Sequence, residues 1–282
     1  QLLNEQWRLG LPCLLAILWD RWQLARSRFL GSRRPATCRA AALFWSCLNW
    51  TPASLAAEYG TMEVSVSHGI EETTGRTVKS RMPLASFAQM LEGSTGSTPY
   101  LKQLDLELAM PLEQQRHLRE LRSLELALTW WGTSVRTYLW MGSAGCITGL
   151  HNDDEDNFLV QCHGTKRVCL FPPECHGQLY VNTKYDSGTR CCDVDVFNPD
   201  YKRHPRFKDV TSWEVVELHP GDVLFIPAFW WHAVLTTSRT SISLNSFVSR
   251  PLERLTRGLW RQMLDLMHSL GYRKGNCVCH AN

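Results

Sequence analysis

Long apolar runs, a strong excess of charge of either sign, internal repeats and low-complexity tracts are all missing from the 282-residue chain. The apolar run Leu11 to Trp19 is interrupted by Pro12 and falls far short of the ~20 residues a membrane-spanning helix needs. It reads as an amphipathic helix rather than a targeting segment. Glu5 precedes it, Asp20, Arg21 and Arg26 follow it, and no small-residue cleavage site is visible. A multispan membrane protein is excluded on these grounds, as are collagen and a coiled coil, and no membrane partner is expected. The net charge of +3 is too small to predict nucleic-acid binding by itself. The first residue is Gln1 rather than Met, so the chain reads as a fragment or a processed product.

What is abundant is cysteine: eleven, an odd number that cannot all pair within the chain. Their spacing gives no small disulfide framework, which excludes a knottin. Free thiols in a reducing compartment are the simpler reading, so a cytoplasmic or nuclear location is expected. Hydrophobic residues at 44% and charged residues at 20% describe an ordinary folded protein of one large or two small domains.

The chain divides into three parts. Residues 1–30 read as a helical extension, 31–250 as the main domain and 251–282 as a C-terminal helix and tail. Helices are predicted over Thr51 to Tyr59, closed by Gly60, over Pro83 to Leu91, and over Leu112 to Leu128, with a strand from Met62 to Ser67 and a flexible loop from Glu92 to Pro99. From Val135 onward short β-rich runs follow one another. They are Arg136–Met141, Phe158–Cys162, Arg167–Phe171, Glu214–Leu218, Val223–Ile226, His232–Leu235 and Ser241–Phe247. Gly and Pro turns between them predict a barrel or double sheet, and the lack of crossover helices argues against a Rossmann-like fold. From Pro251 to Leu270 the apolar positions Leu252, Leu255, Leu259, Met263, Leu266 and Leu270 recur at threes and fours. Such a stripe packs on its own domain or, less often, forms a homodimer face. Cys277-Val278-Cys279-His280 has the wrong spacing for a zinc knuckle and no second pair nearby. It reads as a frayed tail with free thiols.

Two segments carry metal chemistry: Thr148-Gly-Leu-His151-Asn-Asp153, and Gly221-Asp222 through Pro227 to Trp230-Trp231-His232. On a strand, residues i and i+2 face the same way about 6.5 Å apart, so His151 and Asp153 can converge on one ion. His232 joins them if its strand pairs near theirs in a closed sheet. Two His and one carboxylate form the facial triad of non-haem Fe(II) oxygenases, which leaves metal positions open. Taken alone, an HxD pair, an acidic stretch such as Asp153 to Asp156, or a histidine after two tryptophans has an ordinary structural explanation. Phe158 to Lys166 reads as strand, turn, strand, which can return Lys166 towards the metal. A cation inside a barrel is costly unless an anion meets it, and the terminal carboxylate of 2-oxoglutarate is such an anion. Thr148 can donate its hydroxyl to the same carboxylate.

Taken together, these residues resemble the JmjC family of Fe(II)/2-oxoglutarate oxygenases. The likeness is strongest to its small hydroxylases, including the asparaginyl hydroxylase that inhibits hypoxia-inducible factor and the JmjC arginyl hydroxylases. Trp140-Met-Gly142 through His151-Asn-Asp153 matches the family's strand into the HxD. Asn157 through Lys166 and Leu170-Phe-Pro-Pro173 match the next hairpin, and Asn198-Pro199-Asp200-Tyr201 the loop after it. Gly221 to His232 matches the distal ligand strand. The resemblance implies a mainly β, cupin-like double-stranded β-helix (a jelly roll) with flanking α-helices. It implies His151, Asp153 and His232 as catalytic iron ligands, Lys166 and Thr148 as partners of the cosubstrate, and Tyr100 as a further hydrogen-bond partner. Asn157 and Asn245 match polar groups near its oxoacid end, and Trp140 a pocket wall. Lys102 and Cys191 stand where the asparaginyl hydroxylase has glutamines, whereas Arg190 is kept; Lys102 and Arg190 are the candidate substrate contacts.

The implied reaction uses Fe(II), 2-oxoglutarate and O2, releases succinate and CO2, and hydroxylates a side chain of a protein or peptide substrate. Two other readings compete: a JmjC oxygenase acting on RNA or as a histone lysine demethylase, and a cupin-like binding protein without catalysis. No PHD, Tudor or zinc module accompanies the domain, which weighs against the demethylase. Lys184, Arg190, Lys202, Arg203, Arg206 and Lys208 cluster in one segment, but Asp193, Asp195, Asp200 and Asp209 interleave with them, as on a solvated loop.

Overall fold

Alternating apolar and polar positions along short segments build two antiparallel sheets. A computed structural model describes residues 33–42, 45–68, 78–93, 98–109, 134–249, 251–273 and 276–277. The expected N-terminal extension, the middle of the 92–99 loop and the helix expected over Leu112 to Leu128 lie outside the described residues. The strands in chain order are β1 (Ala36–Cys38), β2 (Glu63–His68), β3 (Val78–Pro83), β4 (Tyr100–Asp105), β5 (Ser134–Ser143) and β6 (Ile147–Asp153). There follow β7 (Asp156–His163), β8 (Lys166–Phe171), β9 (Thr189–Cys191), β10 (Glu214–Leu218), β11 (Val223–Ile226), β12 (Trp231–Thr236) and β13 (Thr240–Ser249). Among the described residues four α-helices accompany them: α1 (Pro52–Tyr59), α2 (Leu84–Gly93), α3 (Leu106–Ala109) and α4 (Pro251–Ser269).

The larger sheet runs β1-β11-β7-β13-β5-β4-β2-β3 and the smaller β10-β8-β12-β6-β9. Leu159 and Leu224 of the first meet Val168, Leu170, Leu218 and Val234 of the second in one buried cluster. Each such side chain contributes about 1.5–3 kcal/mol on burial. This is the expected jelly roll, mainly β with helices at its flanks. Helices α1 and α2 cover the other face of the larger sheet. Leu55, Tyr59, Leu84, Phe87 and Leu91 share a core with Val64, Val66, Leu101 and Met141. Thr51 starts α1 as expected: its side chain accepts from the Ser54 N–H while the Ser54 side chain accepts from the Thr51 N–H. A cap of this kind is worth about 0.5–2 kcal/mol.

The C-terminal helix differs from expectation in how it packs. Its polar side is docked: Arg261 pairs with Asp154 and Glu155, Asp265 accepts from Tyr185 and Ser187, and buried His268 stacks on Tyr185 at 4.3 Å. Among the described residues the apolar stripe does not pack on its own domain: Leu255, Leu259 and Leu266 are each about 60% exposed and Leu270 is 80% exposed. The reason is angular: Arg261, Asp265 and His268 lie on the helix side opposite that stripe.

The tail also differs. Cys277 is buried and bridges to Tyr185, whose N–H donates to the Asn276 carbonyl. A frayed end at Cys277 is therefore incorrect, because backbone pairing holds it against the domain. The nine described cysteines are all free thiols. Among the described residues no helix is long and apolar enough to cross a membrane.

Candidate metal centre and cosubstrate cavity

Strand pairing brings the two metal segments together. β12 lies between β6 and β8, with His232 directly opposite His151 and a register shift beyond His232. The loop before β12 is tied to the same strand: the Phe229 N–H donates to the Asp153 carbonyl at 2.7 Å, and Asn152 Nδ2 to the Phe229 carbonyl. Upstream, buried Asp222 accepts from the His219 and Ala40 N–H groups and pairs with Arg39, which fixes the turn into β11.

The ligand atoms of His151, Asp153 and His232 lie within 4.8 Å of one another. Asp153 Oδ2 stands 3.8 Å from His151 Nε2 and 3.6 Å from His232 Nε2, and it is buried without a hydrogen-bond partner. Each Nδ1 faces a backbone carbonyl, Gly149 at 2.7 Å and Trp230 at 3.1 Å. A carbonyl only accepts, so Nδ1 carries the proton and Nε2 presents a lone pair in the neutral ring. Burial, followed by neighbouring His151, pushes His232 down to about 4, so that it is neutral near pH 7. Two nitrogen lone pairs and one carboxylate oxygen thus point at a single spot. That arrangement leaves acceptors without a donor unless a cation sits among them. The donor set fits ferrous iron.

A cavity of about 620 Å³ opens from this spot, a size suited to a small molecule. Lys166 lines it, 2% exposed, and donates to Ser243 Oγ at 2.6 Å. Among the described residues no carboxylate pairs with it, and burial pushes its pKa down to about 8. Tyr100 and Thr148 share a hydrogen bond at 3.2 Å between their hydroxyls beside it. Trp140 packs on Tyr100, with ring centroids 5.8 Å apart. Asn245 Nδ2 donates to Asn157 Oδ1 at 3.1 Å. All nine expected metal and cosubstrate residues line this one cavity.

Of the two expected substrate contacts, Lys102 lines the cavity with its ammonium 5.1 Å from the centroid of the Tyr100 ring. Arg190 does not. It is opposite Asn152 in the β6–β9 pairing, so strand alternation turns it from the ligand face, and its guanidinium lies over the Trp231 ring at 5.4 Å.

Three residues with a role at the site were missed. Thr189 Oγ1 donates to Asp153 Oδ1 at 3.0 Å. Ser243 meets Lys166. Gly142 lies so close to Tyr100 that a Cβ would stand 2.8 Å from its ring. The period-2 pattern of the 241–247 run could have placed Ser243 inward with Asn245. Nothing local marks Thr189.

The cupin-like domain family matches residues 22–252, and the chain belongs to that family. It is 38% identical over 121 residues to HSPB1-associated protein 1 of Homo sapiens, covering 42% of this chain and 25% of that protein. It is 40% identical over 107 residues to tRNA wybutosine-synthesizing protein 5 of Gallus gallus, 38% of this chain and 31% of that one. Over a longer stretch, 214 residues, it is 28% identical to lysine-specific demethylase 8 of Xenopus tropicalis, 74% of this chain and 47% of that one. The matches span between a quarter and about half of these relatives' own lengths.

Proposed function

We propose that the chain is an Fe(II)- and 2-oxoglutarate-dependent dioxygenase that hydroxylates a protein side chain, with release of succinate and CO2. One observation carries this reading. A metal-ready triad and a buried lysine without a carboxylate partner line the same cavity, one for each end of a small dicarboxylate. His151, Asp153 and His232 would hold the iron, supplying two imidazole nitrogens and one carboxylate oxygen. Lys166, with Thr148 and Tyr100, binds the far carboxylate, and Asn157 and Asn245 orient the oxoacid end. Trp140 closes the wall and keeps water out. The bound iron supplies oxygen activation coupled to oxidative decarboxylation of the cosubstrate.

A protein substrate is the reading adopted for the partner. A relative named for association with HSPB1 supports a protein partner, and the names of two others leave RNA and lysine chemistry as outcomes of the test. The exposed apolar stripe of α4 supports a second copy of this chain as a further partner. The test is succinate release by the iron-loaded chain against peptide and RNA panels. His151→Ala should abolish it, and Lys166→Ala should raise the 2-oxoglutarate requirement sharply. Full turnover by His151→Ala would refute the assignment.

A further inference from the structure

Towards its β3 edge, one face of the larger sheet carries cations where a closed core would carry apolar groups. Val64 and Val66 of β2 turn inward, so Ser65 and Ser67 take the opposite face. Ser67 pairs with Lys79 of the edge strand on one side and with Tyr100 of β4 on the other. Ser65 pairs with Arg81. Ser65, Ser67, Lys79, Tyr100 and Lys102 all line the cavity that holds the triad. A shelf of cations and hydroxyls therefore runs from the edge strand to the cosubstrate pocket. Across the mouth stands exposed Lys184, another lining residue.

Among the described residues, few carboxylates stand near this charge. Asp186 lines the mouth, and Glu63 lies beyond Ser65 on the same face of β2. Asp105 Oδ1 is engaged by the N–H groups of Glu107 and Leu108. Among the described residues, Lys79, Arg81, Lys102 and Lys184 thus outnumber Asp186 and Glu63. Inside, iron, Asp153, Lys166 and a 2-oxoglutarate dianion sum to no net charge, so the cosubstrate does not consume the shelf's excess.

We propose that this shelf receives an acidic segment of a protein substrate, and that Lys79, Arg81 and Lys102 set that preference. The proposal rests on the dioxygenase reading above and adds the class of substrate to it. Two observations favour acidic peptide over single-stranded RNA. Of the lining aromatics, Tyr100 and Trp140 are 3% and 9% exposed and Phe247 is half-buried, packed edge-on against Tyr138, which leaves bases little aromatic face to stack on. Hydroxyls and cations on an edge strand instead match an extended chain carrying carboxylates. Lys79 lies two strand spacings from Tyr100, roughly 10 Å, or about three residues of extended peptide. A carboxylate over Lys79 therefore places a residue about three positions away beside Tyr100 and the pocket mouth.

The experiment uses the full chain with Fe(II) and 2-oxoglutarate under argon, and fluorescence anisotropy with three labelled probes of equal length. These are a Glu-Ser repeat peptide, a Lys-Ser repeat peptide and oligouridylate. The acidic peptide should bind at least tenfold more tightly than either other probe, and more weakly as salt rises. Lys79→Glu and Arg81→Glu should each cost roughly tenfold, through lost attraction and added repulsion at an exposed position. Lys79→Gln should cost less than Lys79→Glu. Equal affinity for the acidic and basic peptides, or acidic-peptide binding indifferent to these substitutions, would overturn the proposal. Tighter binding of oligouridylate would overturn it in favour of RNA. Calorimetry of 2-oxoglutarate on the unsubstituted chain keeps the two ideas apart: failure there strikes the dioxygenase reading, whereas failure of the shelf shows in the peptide arm.

Discussion

Thr189 donates its hydroxyl to Asp153 Oδ1 at 3.0 Å and leaves Oδ2 facing both histidines. β9 supplies this contact through its pairing with β6, in which Thr189 stands opposite Asp153. The bond fixes which carboxylate oxygen is presented to a metal. Thr189→Val keeps the shape and removes the donor. Partners of this kind cost about 10–100-fold in metal affinity when lost. Fe(II) affinity of Thr189→Val should fall within that range in an anaerobic titration, with thermal stability nearly unchanged. Unaltered affinity would show that Thr189 does not orient the ligand.

Lys166 gives the cosubstrate pocket a pH signature. Burial holds its pKa at about 8, and only the ammonium form attracts a dicarboxylate. A depressed lysine pKa means the charge is fully present below 8 and is lost as pH rises through it. Affinity for 2-oxoglutarate should be flat from pH 6.5 to 7.5 and then fall, approaching about tenfold per pH unit. Lys166→Met should lose both the affinity and the slope. Affinity independent of pH up to 9.5 would contradict the role.

Gly142 offers a steric test of Tyr100. A Cβ there would stand 2.8 Å from Tyr100 Cδ2 and 3.0 Å from Cys146 Sγ, and an aromatic ring held in a buried cluster cannot give way cheaply. Gly142→Ala should raise the KM for 2-oxoglutarate several-fold by pulling the Tyr100 hydroxyl from Thr148. A stability cost of about 1–3 kcal/mol should accompany it. Tyr100→Phe should reproduce most of the KM effect with a smaller loss of thermal stability. Wild-type KM in both variants would remove Tyr100 from the cosubstrate site.

The α4 stripe predicts an association state. Leu259 sits mid-stripe and is 60% exposed, so Leu259→Glu places a charge there without disturbing the docked Arg261, Asp265 and His268. Sedimentation should show a dimer for the unsubstituted chain and a monomer for the variant. A monomeric unsubstituted chain at the same concentration would contradict the proposal.

The sequence disclosed strands where apolar residues alternate and hid them where they do not. β10 and β11 appear with their expected limits, because Val216, Leu218, Leu224 and Ile226 pack between the sheets. β3 and β4 line the cavity with Lys79, Lys102 and Gln103, polar where a core face would be apolar, which masks the alternation. β1 and β9 are three residues each, too short for any period to register. The HxD pair was legible because both ligands share one strand face. The side to which Arg190 points was not legible, because it depends on the β6–β9 register, which only pairing fixes. The exposed α4 stripe was visible as periodicity, but which face would dock was decided by ion pairs to Asp154 and Glu155, far away in sequence.

Anaerobic titration calorimetry of Fe(II), then of 2-oxoglutarate, into the unsubstituted chain and into Asp153→Ala tests the proposed chemistry most directly. The expected result is one Fe(II) per chain, 2-oxoglutarate binding that requires the metal, and loss of both in Asp153→Ala with its fold intact by circular dichroism. Metal-independent 2-oxoglutarate binding, or full Fe(II) affinity in Asp153→Ala, would contradict it.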